Sequence, residues 1–373
     1  MNKGFILLVA LFGLATFPAV AMETAAKQAF MMDADTHTVL LNKNADEQMH
    51  PSSMSKLMTV YIAFQRLKEG RMKLTDELAV SEKAWKMQGS KTFVHVGDKV
   101  PVEELLHGII IQSGNDACVV IAEGISGSEE AFAAEMNKVA KEIGMTGSNF
   151  VNATGWPDEG HMTTARDLAI LAKHLINDFP EYYHYFAVPE HTYNNIRQYN
   201  RNLLLGGDLG VDGLKTGHTE VAGYGITLSA KKDGRRLILV VNGLTSEKER
   251  KEEGDRLLRY GFREFTNKKI LSKGQHISEA AVWFGEKQSV GLLSDTDIMV
   301  TVPHAKAPDM KFTVKYNEPV PAPVAKGSHI ADLVISHADG AQQTVPLLAA
   351  EDVAKLSGFG RIKAMFSHYL LGK

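Results

Sequence analysis

A single cysteine constrains how this chain can be stabilised. Cys118 is the one cysteine among 373 residues, so no disulfide bond can form within the chain. It lies in an apolar run of helical character, residues 117–122, where a cysteine usually packs as a small hydrophobic residue. We therefore expect a fold that is held together by its hydrophobic core, with Cys118 as a buried, unreactive thiol.

The first 21 residues have the pattern of a secretory signal peptide. Lys3 precedes an apolar run over residues 4–17, and Pro18-Ala19-Val20-Ala21 ends in the Ala-x-Ala form at which such peptides are cleaved. An N-terminal membrane anchor is the alternative, but the run is shorter than the roughly 20 residues that span a bilayer. The sequence predicts export, with cleavage after Ala21.

Composition indicates a globular protein and excludes some partners. Hydrophobic residues make up 44% of the chain and charged residues 23%, at a length that suits two domains or one large domain. The net charge is −3 and there is no basic block, so we expect no nucleic-acid partner. The 14 histidines show no His-x-x-x-His spacing, and one cysteine excludes Cys-x-x-Cys, so we expect no metal and no cofactor.

Hydrophobic periodicity predicts mixed helices and strands before about residue 266. Residues 29–41 alternate as a strand with its turn at 42–44, and helical spacing runs from Ser53 to Gly70. The further predicted elements are helices at about 101–112, 114–125, 129–143, 163–177 and 248–262, and strands at 214–218, 224–230 and 237–244. From 270 to about 348, short strands broken by Gly, Pro, Asn and Asp predict a small all-β domain.

The motif Ser53-Met54-Ser55-Lys56 stands where the first predicted helix begins. Positions three apart lie on one helix face, so the amine of Lys56 can reach the hydroxyl of Ser53. Serine is a poor nucleophile until a base takes its proton, and lysine acts as that base only when its amine is neutral. Burial or a nearby cation favours the neutral amine, and Lys215 is a candidate for this cation.

Two further motifs follow at wide spacing, Ser113-Gly114-Asn115 and Lys215-Thr216-Gly217. Each alone is common, the first as a helix cap and the second as a strand end with a glycine bulge. Ser-x-x-Lys also recurs at residues 229–232, but on a predicted strand, where the two side chains would not share a helix face. The ordered set supplies hydroxyls, amines, a carboxamide and a glycine-flanked strand. Together these groups predict a serine acyl-transfer site that needs no histidine base.

With these motifs in the contexts 51–56, 113–118 and 212–219, the chain resembles the serine penicillin-binding proteins and β-lactamases, specifically the low-molecular-mass D-alanyl-D-alanine carboxypeptidases. The resemblance runs from about residue 25 to the C-terminus. It implies an α/β (α+β) catalytic domain of the β-lactamase/transpeptidase type, with a central antiparallel sheet flanked by helices. A small all-β domain and a terminal amphipathic helix would follow. The implied substrates are peptidoglycan stem peptides, and β-lactam antibiotics would be covalent inhibitors.

The resemblance also implies roles for the catalytic residues. Ser53 would attack the carbonyl between the two terminal D-alanines, with Lys56 as its base. Ser113 would relay a proton to the leaving amine, and Asn115 would hold the substrate amide and Lys56. The backbone amides of Ser53 and His218 would form the oxyanion hole.

Substrate-binding roles follow from the same resemblance. Lys215 and Thr216 would face the terminal carboxylate of the stem peptide, and Gly217 would let the substrate lie close to the strand. Arg250 matches the position from which the family assists in binding that carboxylate, and a guanidinium suits the role. Arg201 matches a second position near the edge of the site.

The segment 152–161 occupies the place of the loop that borders the site. Class A β-lactamases carry a deacylating glutamate there in a Glu-x-x-Leu-Asn pattern, which this segment does not contain. We expect Asp158 and Glu159 to be turn residues rather than bases and His161 to be structural. The missing glutamate argues against efficient β-lactam hydrolysis.

The C-terminal residues have the pattern of a short amphipathic helix. At helical spacing, one face would carry Phe359, Ile362, Met365, Phe366, Tyr369 and Leu370. Such a helix either docks on its own protein or lies in a bilayer interface. The family resemblance favours the bilayer, which implies peripheral attachment to the periplasmic face of the inner membrane.

These observations predict four segments. They are a signal peptide (1–21), a serine D,D-peptidase catalytic domain (22–268), an all-β domain (269–352) and a membrane-anchoring helix (353–373). The predicted enzyme is a serine-type D-alanyl-D-alanine carboxypeptidase. The alternatives are a D,D-endopeptidase with the same residues, a β-lactamase, and a non-catalytic peptidoglycan-binding protein on the same fold.

Overall fold

The computed structural model describes residues 22–304, 310–337 and 342–358. These residues form two compact units, one made of 22–35 and 39–263 and the other of 36–38 and the described residues from 264 onwards. The predicted signal peptide and residues 359–373 of the predicted terminal helix lie outside the described residues.

The first unit is built around a five-stranded antiparallel sheet. The strands of the unit are β1 (Gln28–Asp33), β2 (Val39–Lys43), β3 (Glu77–Ala79), β4 (Lys99–Pro101), β5 (Glu190–Tyr193), β6 (Ile196–Tyr199), β7 (Val211–Thr219), β8 (Gly223–Lys232) and β9 (Arg235–Leu244). The order in the large sheet is β2-β1-β9-β8-β7, and every neighbouring pair is antiparallel. The central antiparallel sheet that the resemblance implies is therefore confirmed.

Burial explains why these strands lie in the middle of the unit. Residues 237–241 of β9 alternate between the two sheet faces, yet all are buried. A strand whose successive side chains are all buried must be covered on both faces, which the helices of the unit provide. β7 stands at the edge of the sheet, where its outer hydrogen-bonding groups are not used by the sheet.

Seven α-helices surround the sheet in the described chain. They are α1 (Lys56–Lys68), α2 (Glu82–Lys86), α3 (Val102–His107), α4 (Asn115–Ser126), α5 (Glu129–Glu142), α6 (Ala165–Asp178) and α7 (Glu247–Glu264). A 3-10 helix over Ser52–Ser55 precedes α1, a π-helix over Gly108–Gln112 follows α3, and a second 3-10 helix spans Tyr183–Ala187. Ser128 and Thr164 cap the N-termini of α5 and α6, because their side-chain oxygens accept hydrogen bonds from the backbone N–H groups of Ala131 and Asp167.

The predicted helices, and the strands predicted from residue 214 onwards, are present near their predicted positions, but α2 and β3 to β6 were not predicted. The first hairpin also differs from its prediction. The chain reverses over residues 34–38, between β1 and β2, and not at 42–44. Asp33 starts this reversal, because its Oδ1 accepts a 3.0 Å hydrogen bond from the backbone N–H of Asp35. Residues 29–41 are thus two short strands, and the prediction of one strand was wrong.

The second unit is all-β in its described residues. Its strands are β10 (Phe265–Leu271), β11 (His276–Trp283), β12 (Ser289–Leu293), β13 (Ile298–Pro303), β14 (Met310–Lys315), β15 (Val320–Pro321), β16 (His329–His337) and β17 (Gln342–Ala349). Six of them form a sheet in the order β14-β16-β17-β12-β11-β15, and β10 pairs with β13. The core includes Val290, Leu292, Val300, Ile335 and Leu347, all nearly inaccessible to solvent.

Among the described residues, no helix is both long enough and apolar enough to cross a membrane.

Replacing Phe64 with alanine is expected to destabilise the first unit strongly. Phe64 of α1 is fully buried, and its ring lies 5.9 Å from that of Phe179 and 6.1 Å from that of Phe186. Removal of a buried phenylalanine ring costs about 3–5 kcal/mol in the free energy of unfolding. Urea denaturation measures the loss. Val96→Ala, at a half-exposed position, is the control and should change stability by less than about 0.5 kcal/mol.

Candidate active site

Ser53 and Lys56 meet at the start of α1. Ser53 lies in the 3-10 helix that precedes α1, and Lys56 is the first residue of α1 itself. Lys56 Nζ lies 3.0 Å from Ser53 Oγ. The sequence placed both residues in one α-helix. The structure differs from that prediction in one respect, because Ser53 lies in a 3-10 turn. The two side chains still meet, because residues three apart lie directly above one another in this tighter helix.

The amine of Lys56 is completely buried and has three polar neighbours. Besides Ser53 Oγ, Lys56 Nζ donates to Asn115 Oδ1 at 2.7 Å and to the carbonyl oxygen of Thr154 at 2.6 Å. Both of these oxygens can only accept hydrogen bonds. A neutral amine that donates to both therefore directs its lone pair at the hydroxyl of Ser53, which is the arrangement a general base requires.

The surroundings favour this neutral form. Burial lowers the pKa of Lys56 from its ordinary value to about 8, and the positive charge of Arg201 acts in the same direction. Arg201 thus has the effect that we predicted for Lys215, whose own role as such a cation stays a prediction. Burial and the neighbouring Lys56 hold the pKa of Lys215 itself well below its ordinary value.

Ser113 is held in a conformation that few non-glycine residues adopt. It follows the π-helix at φ 67° and ψ 34°, in the left-handed region. Its side chain is buried, and its Oγ has no hydrogen-bond partner among the described residues. A buried hydroxyl without a partner is costly, so Ser113 Oγ is available to hydrogen-bond a group that enters the site.

Asn115 and Asp116 fix the start of α4 beside Lys56. The side-chain amide of Asn115 donates from Nδ2 to the carbonyl of Gln88 at 2.7 Å, which orients Oδ1 towards Lys56. The buried carboxylate of Asp116 accepts hydrogen bonds from the backbone N–H groups of Thr92 and Phe93 at 2.8 and 2.9 Å. This role of Asp116 was not predicted, although an acidic residue in the first turn of a helix is a recognisable signal.

The third motif lies on the edge strand β7. Lys215 and Thr216 are buried, and His218 is exposed and stacks on Tyr224 with ring centroids 3.9 Å apart. A Cβ atom at Gly217 would lie 2.9 Å from the carbonyl oxygen of Pro51. Glycine is therefore needed for packing against the segment that carries Ser53, and the close approach of substrate that we expected there stays a prediction.

Two arginines extend the positive charge of the site. The guanidinium of Arg250 is buried, lies 5.7 Å from the ring centroid of Tyr224 and forms a 2.8 Å ion pair with Glu247. Arg201 donates to Ser90 Oγ at 2.8 Å. Burial lowers the pKa of each arginine below its ordinary value. The negative charge of Glu247 acts in the opposite direction on both. Such a basic cluster suits an anionic group.

The segment 152–161 is an ordered loop that supplies the Thr154 carbonyl. Asn152 Oδ1 accepts hydrogen bonds from the backbone N–H groups of Thr154, Gly155 and Trp156, at 2.8–3.1 Å. Asn152 thereby presents the carbonyl that binds Lys56. The Asn-x-Thr-Gly sequence is a turn signal of this kind, but its contact with Lys56 was not predicted.

His161 anchors the other end of this loop. Its Nδ1 accepts a hydrogen bond from the N–H of Val151 at 3.2 Å, so Nε2 carries the proton and donates to Ser55 Oγ at 2.7 Å. Burial lowers the pKa of His161 to about 4, which keeps the ring neutral. Asp158 Oδ1 accepts from the N–H of Gly160 at 2.8 Å, as a turn residue does.

Cys118 also lies near the two lysines. It is buried on α4, and burial raises the pKa of its thiol to about 12. The thiol therefore stays protonated, which agrees with an inert cysteine. The described residues contain no group of three or more His, Cys, Asp or Glu side chains arranged to hold a metal ion.

Comparison with known proteins places this site in a family. Residues 15–246 match the family described as D-alanyl-D-alanine carboxypeptidase, and residues 265–355 match the C-terminal domain of penicillin-binding protein 5. The D-alanyl-D-alanine carboxypeptidase DacC of Escherichia coli (strain K12) is 38% identical over 90% of this chain and 86% of its own length. The chain belongs to this family of serine peptidases, and the resemblance stated from the motifs is confirmed.

Solved structures agree with this assignment. Penicillin-binding protein 5 of Haemophilus influenzae has a TM-score of 0.81 and 36% identity, covering 91% of this chain and all of the other. Penicillin-binding protein D2 of Listeria monocytogenes, solved in an ampicillin-bound form, has a TM-score of 0.60 and 28% identity, covering 66% of this chain and all of the other. The protein is therefore a member of the penicillin-binding, low-molecular-mass class.

The pH dependence of acylation should report the pKa of Lys56. Below that pKa the amine carries a proton and cannot accept one from Ser53, so the rate constant for acylation by a penicillin should rise as pH increases through about 8. Arg201→Gln removes a positive charge, which makes the ammonium form of Lys56 easier to hold and raises its pKa. The inflection of the variant should therefore move to higher pH.

Stopped-flow or gel-based labelling over pH 6–10 measures the profile. Arg71→Gln, at an exposed position on the surface, is the matched control and should keep the wild-type inflection. An unchanged profile in Arg201→Gln would contradict the assignment of Arg201 as the cation.

Proposed function

We propose that the protein is a serine-type D-alanyl-D-alanine carboxypeptidase that removes the terminal D-alanine from peptidoglycan pentapeptide stems. The reaction proceeds through an acyl-enzyme on Ser53. The observation that carries the proposal is the environment of Lys56, whose buried amine lies 3.0 Å from Ser53 Oγ and donates to two carbonyl oxygens. That environment supports a base whose neutral form is accessible near physiological pH.

In the acylation step, Ser53 Oγ attacks the carbonyl of the penultimate D-alanine and Lys56 takes the hydroxyl proton. The backbone N–H groups of Ser53 and His218 receive the oxyanion. The proton then passes from Lys56 through Ser113 to the leaving amine of the terminal D-alanine. Ser113 suits this role because its buried Oγ has no other partner among the described residues.

Binding of the substrate uses the free edge of β7 and the basic cluster beside it. An extended peptide adds to an unpaired strand edge through main-chain hydrogen bonds. Lys215, Thr216 and Arg250 bind the terminal carboxylate. This carboxylate distinguishes a chain end from the interior of a peptide.

In the deacylation step, water attacks the acyl-enzyme and Lys56 acts again as base. The loop 152–161 contains no glutamate in the deacylating pattern, and Asp158 is engaged in its turn. β-Lactams therefore form acyl-enzymes that persist, which makes them covalent inhibitors. The ampicillin-bound relative supports this part of the proposal.

The proposed placement of the enzyme is outside the cytoplasm. Residues 1–21 direct export, residues 22–268 form the catalytic domain, and residues 269–352 form an all-β domain. The amphipathic helix predicted for residues 353–373 would attach the enzyme peripherally to the periplasmic face of the inner membrane. Its start must lie after Lys355, because Val353 and Lys355 form β-bridges with Val324 and Gly285.

Ser53→Ala should abolish both D-alanine release and penicillin labelling. Loss of the nucleophile removes the acyl-enzyme, so the rate should fall by at least about 10³-fold. Ser229→Ala is the matched control, because Ser229 belongs to the second Ser-x-x-Lys sequence but lies on β8. The control should keep labelling, whereas D-alanine release by the Ser53→Ala protein would rule out the mechanism.

Mass spectrometry of muropeptides before and after treatment identifies the reaction. A carboxypeptidase shortens monomeric pentapeptides by one alanine. An endopeptidase with the same residues would instead convert crosslinked dimers to monomers.

Deletion of residues 357–373 should release an active enzyme into the soluble fraction. The deleted segment contains the apolar face proposed to lie in the bilayer interface, and the catalytic residues are untouched. Fractionation followed by penicillin labelling measures the outcome. A shortened enzyme that stayed with the membrane would contradict the proposed anchor.

A further inference from the structure

The two backbone N–H groups of the proposed oxyanion hole belong to different segments of the chain. Ser53 lies in the 3-10 helix over Ser52–Ser55, and His218 lies on the edge strand β7. An oxyanion hole is effective when both donors are aimed in advance at the position that the oxyanion will take. The 3-10 helix and β7 must therefore be held in a fixed alignment.

A hydrogen bond between two side-chain hydroxyls joins these segments. Ser52 Oγ lies 3.1 Å from Thr219 Oγ1, and either hydroxyl can be the donor. We call this contact the hydroxyl bridge. Among the residues that the structure describes, it is the one hydrogen bond between the 3-10 helix and β7. Ser52 directly precedes Ser53 and Thr219 directly follows His218, so each end of the bridge is next to one of the two N–H groups.

We propose that Ser52 and Thr219 are positioning residues for the oxyanion hole, and that their hydroxyl bridge sets the alignment of its two N–H groups. This inference rests on the proposed function, which assigns those N–H groups to the oxyanion. It adds two residues that act through Ser53 and His218 and not on the substrate.

Ser52 has a backbone conformation that serine rarely adopts. Its φ is 51°, in the left-handed region, and the residue is only 3% exposed. Such conformations persist where the surrounding structure enforces them, and they are frequent at active sites. A buried hydroxyl is also costly unless it has a partner, and Thr219 is that partner. The bridge thus helps to hold the chain in its turn at the residue before the nucleophile.

Thr219 is fixed independently of Ser52. Its Oγ1 accepts a 3.2 Å hydrogen bond from the backbone N–H of Ala222, in the turn between β7 and β8. The preceding residue, His218, pairs with Tyr224 on β8, and the two rings stack. A hydroxyl that accepts one hydrogen bond keeps its own hydrogen and a second lone pair. Thr219 therefore forms the bridge from a position that the sheet determines.

Close packing surrounds the bridge. A Cβ atom at Gly217 would lie 3.2 Å from the Cβ atom of Ser52, and a Cβ atom at Gly155 would lie 1.8 Å from the carbonyl oxygen of Ser52. Ser52 is therefore in contact with both β7 and the loop 152–161. Packing has no preferred direction, whereas a hydrogen bond does. The packing brings the segments together, and the bridge sets their alignment.

Ser52→Ala and Ser52→Gly test the bridge. Both changes remove the hydroxyl, but glycine also adopts a left-handed φ without strain. Loss of a complete oxyanion donor costs about 10²–10³-fold in kcat, and a misaligned donor should cost less, about fivefold to thirtyfold. Acylation and deacylation both pass through an oxyanion at the same N–H groups, so both rate constants should fall by the same factor. Because the two steps slow equally, kcat for D-alanine release should fall while KM stays unchanged.

The boronic acid analogue of N-acetyl-D-alanine measures the oxyanion hole directly. Its boron takes Ser53 Oγ as a fourth ligand and becomes negatively charged, and the hydroxyl proton passes to Lys56. The Kd of this tetrahedral adduct should rise in both Ser52 variants by about the factor by which kcat falls. The pH at which acylation inflects should not change, because the hydrogen bonds of Lys56 are kept.

Changes at Thr219 test the other end of the bridge. Thr219→Val removes the hydroxyl and should lower kcat as Ser52→Ala does, whereas Thr219→Ser keeps the hydroxyl and should keep the wild-type kcat. In the Ser52→Ala/Thr219→Val double variant the two losses should not add, because both changes remove the same hydrogen bond. Thr163→Val is the matched control. It removes a buried hydroxyl that lies 2.8 Å from Ser148 Oγ, and it should leave kcat and the boronic acid Kd unchanged.

The outcomes separate this inference from the proposed function. Wild-type activity in Ser52→Gly would show that the turn matters and not the hydroxyl, which would overturn the inference. A loss confined to one of the two steps, a shifted pH inflection or an equal loss in Thr163→Val would also overturn it. Thermal unfolding checks that each variant is folded, and Ser52→Gly and Thr219→Val decide the matter if Ser52→Ala does not fold. If the wild-type enzyme neither released D-alanine nor bound penicillin, the proposed function itself would fail.

Discussion

The arrangement of the active site in the first unit depends on one buried amine, that of Lys56. Removing an ammonium ion from water costs several kcal/mol even after the protein relaxes, and Lys56 is fully buried. The cost is reduced in two ways, by hydrogen bonds from its nitrogen and by a lowered pKa that makes the neutral form accessible. Three segments far apart in sequence must converge to achieve this: the start of α1, the start of α4 and the loop that carries Thr154.

Short polar side chains, not covalent links, hold these segments in register. Asp116 accepts from the backbone of the segment before α3, Asn152 shapes the loop, and His161 ties that loop to Ser55. A chain with one cysteine has no disulfide to perform this task. Buried hydrogen bonds to backbone groups are specific in direction, so they position the reacting atoms as well as stabilising the fold.

Sequence patterns predicted the parts of the site that lie in regular elements. Ser53 and Lys56 could be paired because helical spacing is periodic. The strands β7 to β9 could be predicted because their apolar runs are long. The contribution of Arg201 to the pKa of Lys56 could not be predicted, since it depends on distances across the fold. The same holds for the Thr154 carbonyl, a backbone group with no residue signature, and for Gly217, whose neighbour Pro51 is distant in sequence.

The unpaired edge of β7 has a consequence for solubility. Free strand edges are sites at which proteins associate with one another, and inward-pointing charged residues discourage this. Lys215 lies on that strand and is buried beside Lys56. A strand from another folded molecule that paired here would lie over these buried amines without supplying an anion. Lys215 is therefore a residue of the kind that discourages self-association at the edge of a sheet.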